Sequence, residues 1–453
     1  MDKIDILNRE SFVAQLVRLV ENIAEGETSV SFAIDGTWGC GKSFVLDMFE
    51  EQLSQIQSEE TYTDKYLIIH YNCWKYDYYD EPLIAIVATI IDAINEKIKI
   101  LYGEKGEKVK GVLKAVGTTL LSISNNALKT ATGIDASEIF DIFNIVKSGI
   151  DTGAEEYKKM QKYDVLFGFK QTLHSLQSAL NEISKDYTLV FLVDELDRCL
   201  PEYAVKVLER LHHLTENTRK VISIIAIDKD QLKASIQHIF GFEDADRYLK
   251  KFIQFSMPLG LGSTSEKIVD KYLDYISLFD PTLIPVEDSI EEFMRALFTD
   301  IDAREQEQLV QKAMLVHKLL PSDNKDYTFM CMELLIITLE TCYQGKIVFT
   351  KWFQPLIAKR NSDEKMPPFS EFFNKKFDGV PHETTYHSSK LILGDYIFQN
   401  TNSLYGAIAY TWYELFLKNT ITSISISDNA IRVLLDKNVI ELKKFIEMVR
   451  LIK

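Results

Sequence analysis

The octet Gly36-Thr37-Trp38-Gly39-Cys40-Gly41-Lys42-Ser43 follows directly on the apolar run Ser31-Phe32-Ala33-Ile34-Asp35. It fits the pattern G-x-x-x-x-G-K-[ST], with a strand expected before it and a helix after it. Few folds accommodate such a segment. The strand has to deliver the glycine loop to a sheet edge, and the helix has to begin where the loop ends. Backbone N–H groups then converge on one point with the positive end of the helix behind them, which makes a seat for phosphate. Gly36, Thr37, Trp38, Gly39, Cys40 and Gly41 would form that seat. Lys42 would reach the outer phosphates as a point charge, and the Ser43 hydroxyl would ligate Mg²⁺.

A second segment completes the chemistry. Leu189-Val190-Phe191-Leu192-Val193 is apolar throughout and ends in Asp194-Glu195-Leu196-Asp197-Arg198. A run apolar on both faces suits a strand buried in a parallel sheet between helices. Carboxylates at its C-terminal end stand at the edge where open α/β folds bind ligands. Asp194 is the natural partner of a Mg²⁺ held by Ser43. Glu195, expected to point the other way along the strand, would polarise the water that attacks a γ-phosphate. The competing reading, two solvated carboxylates after a strand, loses force because the glycine loop lies upstream.

Strands and helices alternate around these motifs. Strands are expected at about 29–35, 66–71, 189–194, 221–228 and 252–259, with helices at about 9–24, 44–56, 82–101, 201–215 and 230–240. That order predicts an α/β fold with a doubly wound, mostly parallel sheet. Residues 103–162, rich in Gly, Lys, Ser, Thr and Asn, read as a helical insertion between the two motifs. Ser263-x-x-Glu266 reads as a capping box opening a mainly α-helical C-terminal half, 261–453. The nucleotide-binding domain is accordingly expected over 1–260.

Composition narrows the partners. A net charge of −16 disfavours a broad face for nucleic acid, although a small basic channel needs only a few Lys or Arg. Cysteines 40, 73, 199, 331 and 342 are widely spaced and odd in number, which suits reduced thiols. No basic-then-apolar leader opens the chain, and no apolar run reaches the ~18 residues that span a bilayer. A cytoplasmic protein with no membrane role is expected.

Four blocks resemble the KAP family of P-loop NTPases, on the AAA-like and STAND-like branch that adds a catalytic glutamate. They are Ile34 to Ser43 with its distinctive Trp38; Tyr71-Asn72-Cys73-Trp74; Phe191 to Cys199; and Ala226-Ile227-Asp228 with Tyr248 to Gln254. The resemblance implies ATP and Mg²⁺ as ligands, with Lys42 and Ser43 on phosphate and metal, Asp194 on the metal, and Glu195 as catalytic base. It places Asp228 as a polar sensor near the γ-phosphate. Ile6-Leu7-Asn8-Arg9-Glu10 is similar to a segment that contacts adenine in relatives, with Asn8 where they have Gly. Bacterial members are often linked to anti-phage defence, which implies a partner protein or effector.

Three functions remain open at this point. One is an ATPase acting as a conformational switch or homo-oligomeric motor. The second is a nucleotide-gated scaffold with little turnover. The third is an ATPase stimulated by nucleic acid. Arg210, Arg219 and Arg247 are candidate arginine fingers, each competing with an ordinary surface charge.

Overall fold

The computed structural model describes residues 4–59, 65–78, 82–98, 173–280 apart from 175 and 179, 287–320, 326–342, 391–393, 396–398 and 429–452, with the single positions 404, 407, 408, 411 and 415. The expected insertion at 103–162 lies outside the described residues. The chain divides into two compact units, Arg9–Gly260, and Met1–Asn8 together with Leu261–Lys453.

In the first unit, helix α1 (Glu10–Ala24) turns Val13, Leu16, Val17, Val20 and Ala24 inward at helical spacing. Strand β1 (Val30–Asp35) leads through the glycine loop into α2 (Lys42–Glu59). Strand β2 (Tyr66–Asn72) and helix α3 (Pro82–Ile98) follow. Then come β3 (Thr188–Asp194), α4 (Pro201–Thr215), β4 (Val221–Ile227), α5 (Lys229–Phe240), α6 (Ala245–Leu249) and β5 (Phe255–Pro258). Pro201 begins α4 where a missing N–H costs nothing, and Gly241 ends α5 at φ +66°.

The five strands lie in the order β2-β3-β4-β1-β5, and each neighbouring pair is parallel. Every residue of β3 and β4 is buried, as their predominantly apolar runs require, and Ser223 within β4 is buried with the rest. The parallel α/β sheet is the expected one. The fifth strand is shorter than the expected 252–259, because Phe252 and Ile253 close the turn after α6 and enter the core. The strand β4 lies between β1 and β3. The glycine loop and the carboxylate-bearing end of β3 therefore flank one strand terminus at the same sheet edge.

The second unit is mainly helical among the described residues. It holds α7 (Ile268–Lys271), α8 (Leu273–Ile276), α9 (Glu287–Leu297), α10 (Ala303–Leu319), α11 (Tyr327–Cys342), a hairpin of β6 (Leu391–Leu393) and β7 (Tyr396–Phe398), and α12 (Asn429–Leu451). Helix α11 is apolar nearly all round, so it is central, with α9, α10 and α12 packed on it. The expected capping box at Ser263 does not form. The first helix begins at Ile268 without a side-chain cap. Ser263 Oγ instead accepts from Asn8 Nδ2 (3.1 Å), and Ser265 Oγ donates to the Asp5 carbonyl (2.9 Å), so these hydroxyls tie the segment before α1 to the start of this unit. Asp302, three residues before Glu305, caps α10 in the way expected of Ser263. Among the described residues no helix is long and apolar enough to cross a membrane.

Candidate functional site

The glycine loop owes its course to backbone that only glycine takes freely. Gly39 and Gly41 lie at φ +80° and +93°. Gly36 is required for space instead. A Cβ there would stand 2.6 Å from Cys40 Sγ and 2.7 Å from the Leu259 carbonyl. The side chain of Arg9, itself buried, holds the loop from behind by donating from Nη2 to the carbonyls of Cys40 and Gly260. Cys40 is fully buried, and burial pushes its thiol up from the ordinary range. It packs beneath the loop and is not presented to solvent.

The structure brings Ser43 and Asp194 together. The Ser43 hydroxyl is hydrogen-bonded to the Asp194 carboxylate, which also accepts from the Glu195 N–H at 2.8 Å. Burial holds Asp194 above the usual carboxylate range, and these two donors pull the other way. Two hard oxygen donors in contact beside a phosphate cradle fit Mg²⁺. That ion takes one or two protein oxygens and completes its shell with phosphate and water. Among the described residues no group of three or more His, Cys, Asp and Glu side chains could hold a metal without such help.

Glu195 does not continue the strand. It adopts a left-handed conformation (φ +57°, ψ +27°), uncommon for a residue with a side chain. This turn ends the strand, and the Glu195 carboxylate meets Asn72 and Arg198. Its Oε2 accepts from Asn72 Nδ2 at 2.9 Å, and its Oε1 is paired with Arg198 Nη1 at 2.7 Å. Asn72 is available because β2 and β3 run in register, Asn72 opposite Asp194. Arg198 pairs with Glu195 and lies over the Trp74 ring, 5.5 Å from its centroid.

Asp197 is the residue that sequence reasoning passed over. Its Oδ2 lies 3.1 Å from Lys42 Nζ and accepts from Trp38 Nε1 (3.1 Å) and the Asp228 N–H (3.0 Å). The available signal was a third acidic residue directly after buried Leu196, on a short turn that swings it back toward the loop. Trp38 is 55% exposed, so it is not packed under the following helix. The Asp228 carboxylate caps α5 by accepting from the Gln231 N–H (3.2 Å), while Asp35 accepts from Lys229 N–H (3.1 Å). Asn8 adopts φ +53°, a conformation Asn tolerates better than most residues.

Of the candidate fingers, Arg219 is paired with Glu27 (3.4 Å) and Arg210 approaches Glu209 (3.9 Å). Arg247 is exposed on α6.

Comparison with known proteins gives four matches that bear on the chain. The phage T7 exclusion protein of Escherichia coli (strain K12) is 22% identical over 254 residues, which cover 53% of this chain and 32% of that protein. The chain thus spans about a third of that relative's length. Among solved structures, the Aeropyrum pernix ORC2 protein in ADPNP and ADP complexes is similar with a TM-score of 0.36 at 11% identity, over 74% of this chain and 70% of that one. Drosophila ORC bound to DNA gives a TM-score of 0.36 at 13% identity, over 76% and 63%. The description of the KAP family P-loop domain matches residues 9–282, more than half of the chain. The chain belongs to the KAP family of P-loop NTPases.

Proposed function

We propose that this chain is a Mg²⁺-dependent ATPase that works as a conformational switch or oligomeric ATPase coupled to a partner protein, in bacterial defence against phage. The observation that carries the enzymatic reading is the hydrogen bond between Ser43 and Asp194 at the mouth of the glycine loop. In this reading Gly36 to Ser43 bind the phosphates. Lys42 neutralises charge on the outer phosphates, and Ser43 and Asp194 hold Mg²⁺. When bound, the metal would offset the charge of the phosphates. Glu195 takes the proton of the attacking water, and Asp228 senses the γ-phosphate from the end of β4. The likeness to a phage exclusion protein supports the defence role.

Two variants test the enzymatic reading. Glu195→Gln keeps ATP binding and loses turnover; Lys42→Ala loses binding. Unchanged hydrolysis by Glu195→Gln would remove Glu195 from the mechanism.

A second reading, a nucleotide-gated scaffold with little turnover, draws on a different observation. Both oxygens of Glu195 are already engaged, by Asn72 and by Arg198. Single-turnover hydrolysis at high protein concentration separates the two. A negligible rate, with and without DNA or RNA, favours the scaffold and also disposes of nucleic-acid stimulation.

A further inference from the structure

An ammonium group has three N–H bonds to give. Those of Lys42 have three acceptors within the protein: the Gly36 carbonyl at 2.7 Å, the Thr37 carbonyl at 3.3 Å and Asp197 Oδ2 at 3.1 Å. The ion pair is sequestered, with the Lys42 side chain 9% and the Asp197 side chain 2% exposed. The same Asp197 oxygen also accepts from Trp38 Nε1 and from the Asp228 N–H. One atom therefore joins the glycine loop, the turn after β3 and the end of β4.

A lysine committed in this way cannot also donate to a phosphate. One acceptor has to be given up, and the charged one competes most directly with an incoming anion. Leaving a buried carboxylate without a partner is ordinarily prohibitive. Here the Trp38 and Asp228 donors stay on Asp197 after Lys42 departs, so the exchange leaves no bare buried charge. We propose that Asp197 is a positioning residue that holds Lys42 as an internal counter-ion. It competes with the phosphates of the nucleotide and so sets the affinity of the glycine loop. This rests on the reading of residues 36–43 as a nucleotide site. Binding moves Lys42 from carboxylate to phosphate without bond making or breaking, and the indole of Trp38 registers the transfer because its acceptor loses a neighbouring cation.

The test uses the full chain, Mg²⁺ and a non-hydrolysable ATP analogue, with affinity measured by calorimetry. Asp197→Asn is expected to bind about tenfold tighter, the effect of removing one charge-assisted competitor. It should also melt lower without nucleotide and show a larger rise on adding it. Asp197→Glu, which keeps the charge, is expected to bind like wild type. Trp38 emission, isolated by subtracting Trp38→Phe, is expected to change at saturation in the wild-type protein. Binding by Asp197→Asn that is equal to or weaker than wild type overturns the proposal. So does tighter binding by Asp197→Glu, or a Trp38 signal that does not move. If Asp197→Asn does not fold, the Trp38 signal of the wild-type chain decides. Loss of binding in Lys42→Ala together with no gain in Asp197→Asn leaves the nucleotide site standing and removes only the role of Asp197. If the wild-type chain binds no analogue, both fall.

Discussion

Arg198 Nη1 lies 2.7 Å from Glu195 Oε1, and the guanidinium rests over the exposed ring of Trp74. The glutamate proposed to accept a proton from water is thus held on one side by a cation and on the other by Asn72. Arg198→Ala frees Oε1, and steady-state ATPase assays should register faster basal turnover. Because Arg198 is 40% exposed, its pair is screened, and the gain is limited to about fivefold. A fall in rate would mean that Arg198 orients Glu195 for catalysis instead of restraining it.

Gly36 tests how tightly the loop is seated. In Gly36→Ala the new methyl meets Cys40 Sγ and the Leu259 carbonyl well inside contact distance. Overpacking of this kind costs about 1–3 kcal/mol, and the strain falls on the loop itself. Thermal melting should drop and nucleotide affinity should fall together. Adding Cys40→Ala removes one clash but leaves the Leu259 carbonyl in place. The double variant should therefore recover part of the stability, and full recovery would show that the backbone contact yields freely.

The second unit contains a buried titratable group. Glu333 on α11 is fully buried, accepts from Tyr275 OH (2.8 Å), and lies 3.0 Å from His317 Nδ1. Burial pushes its carboxyl up to about 7, against the opposing pull of His317 and Tyr275. Below the unfolded value of 4.5 both states hold the proton, and pH has no effect through this group. Between there and about 7 the folded chain keeps a proton that the unfolded chain releases, so stability falls as pH rises. Above that window the loss is complete, on the order of 3 kcal/mol. Melting temperatures across this range should decline in the wild-type chain and decline less in Glu333→Gln. Parallel curves would place the titration elsewhere.

Much of this architecture was legible in the chain. The buried strands declared themselves because β3 and β4 are covered on both faces and are apolar along most of their length, with Ser223 the polar residue inside β4. The meeting of Ser43 with Asp194 followed from two motifs that share a sheet edge. Asp197 was not legible, because its position depends on the left-handed turn at Glu195, and nothing in a run of Asp, Glu, Leu and Asp announces positive φ. Arg9 was hidden for a similar reason, since its acceptors are backbone carbonyls at Cys40 and Gly260, which carry no side-chain signature. The apparent capping box at Ser263 failed because the helix begins only at Ile268, and Ser263 Oγ accepts from Asn8 instead.

Arg247 offers the sharpest test of assembly. Its backbone N–H is tied to Asp244, which fixes the start of α6, while its side chain projects from an exposed position. Arg210 and Arg219 both have acidic neighbours, and among the described residues Arg247 forms no ion pair. An arginine displayed on a short, well-anchored helix is suited to act on the phosphate site of a second copy. If it does, specific ATPase activity rises with protein concentration, and Arg247→Ala abolishes that rise by a factor on the order of 10³ without altering nucleotide affinity. Because no ion pair among the described residues is lost, the variant should melt like wild type. A concentration-independent rate shared by both proteins would assign hydrolysis to the single chain and return Arg247 to the solvent.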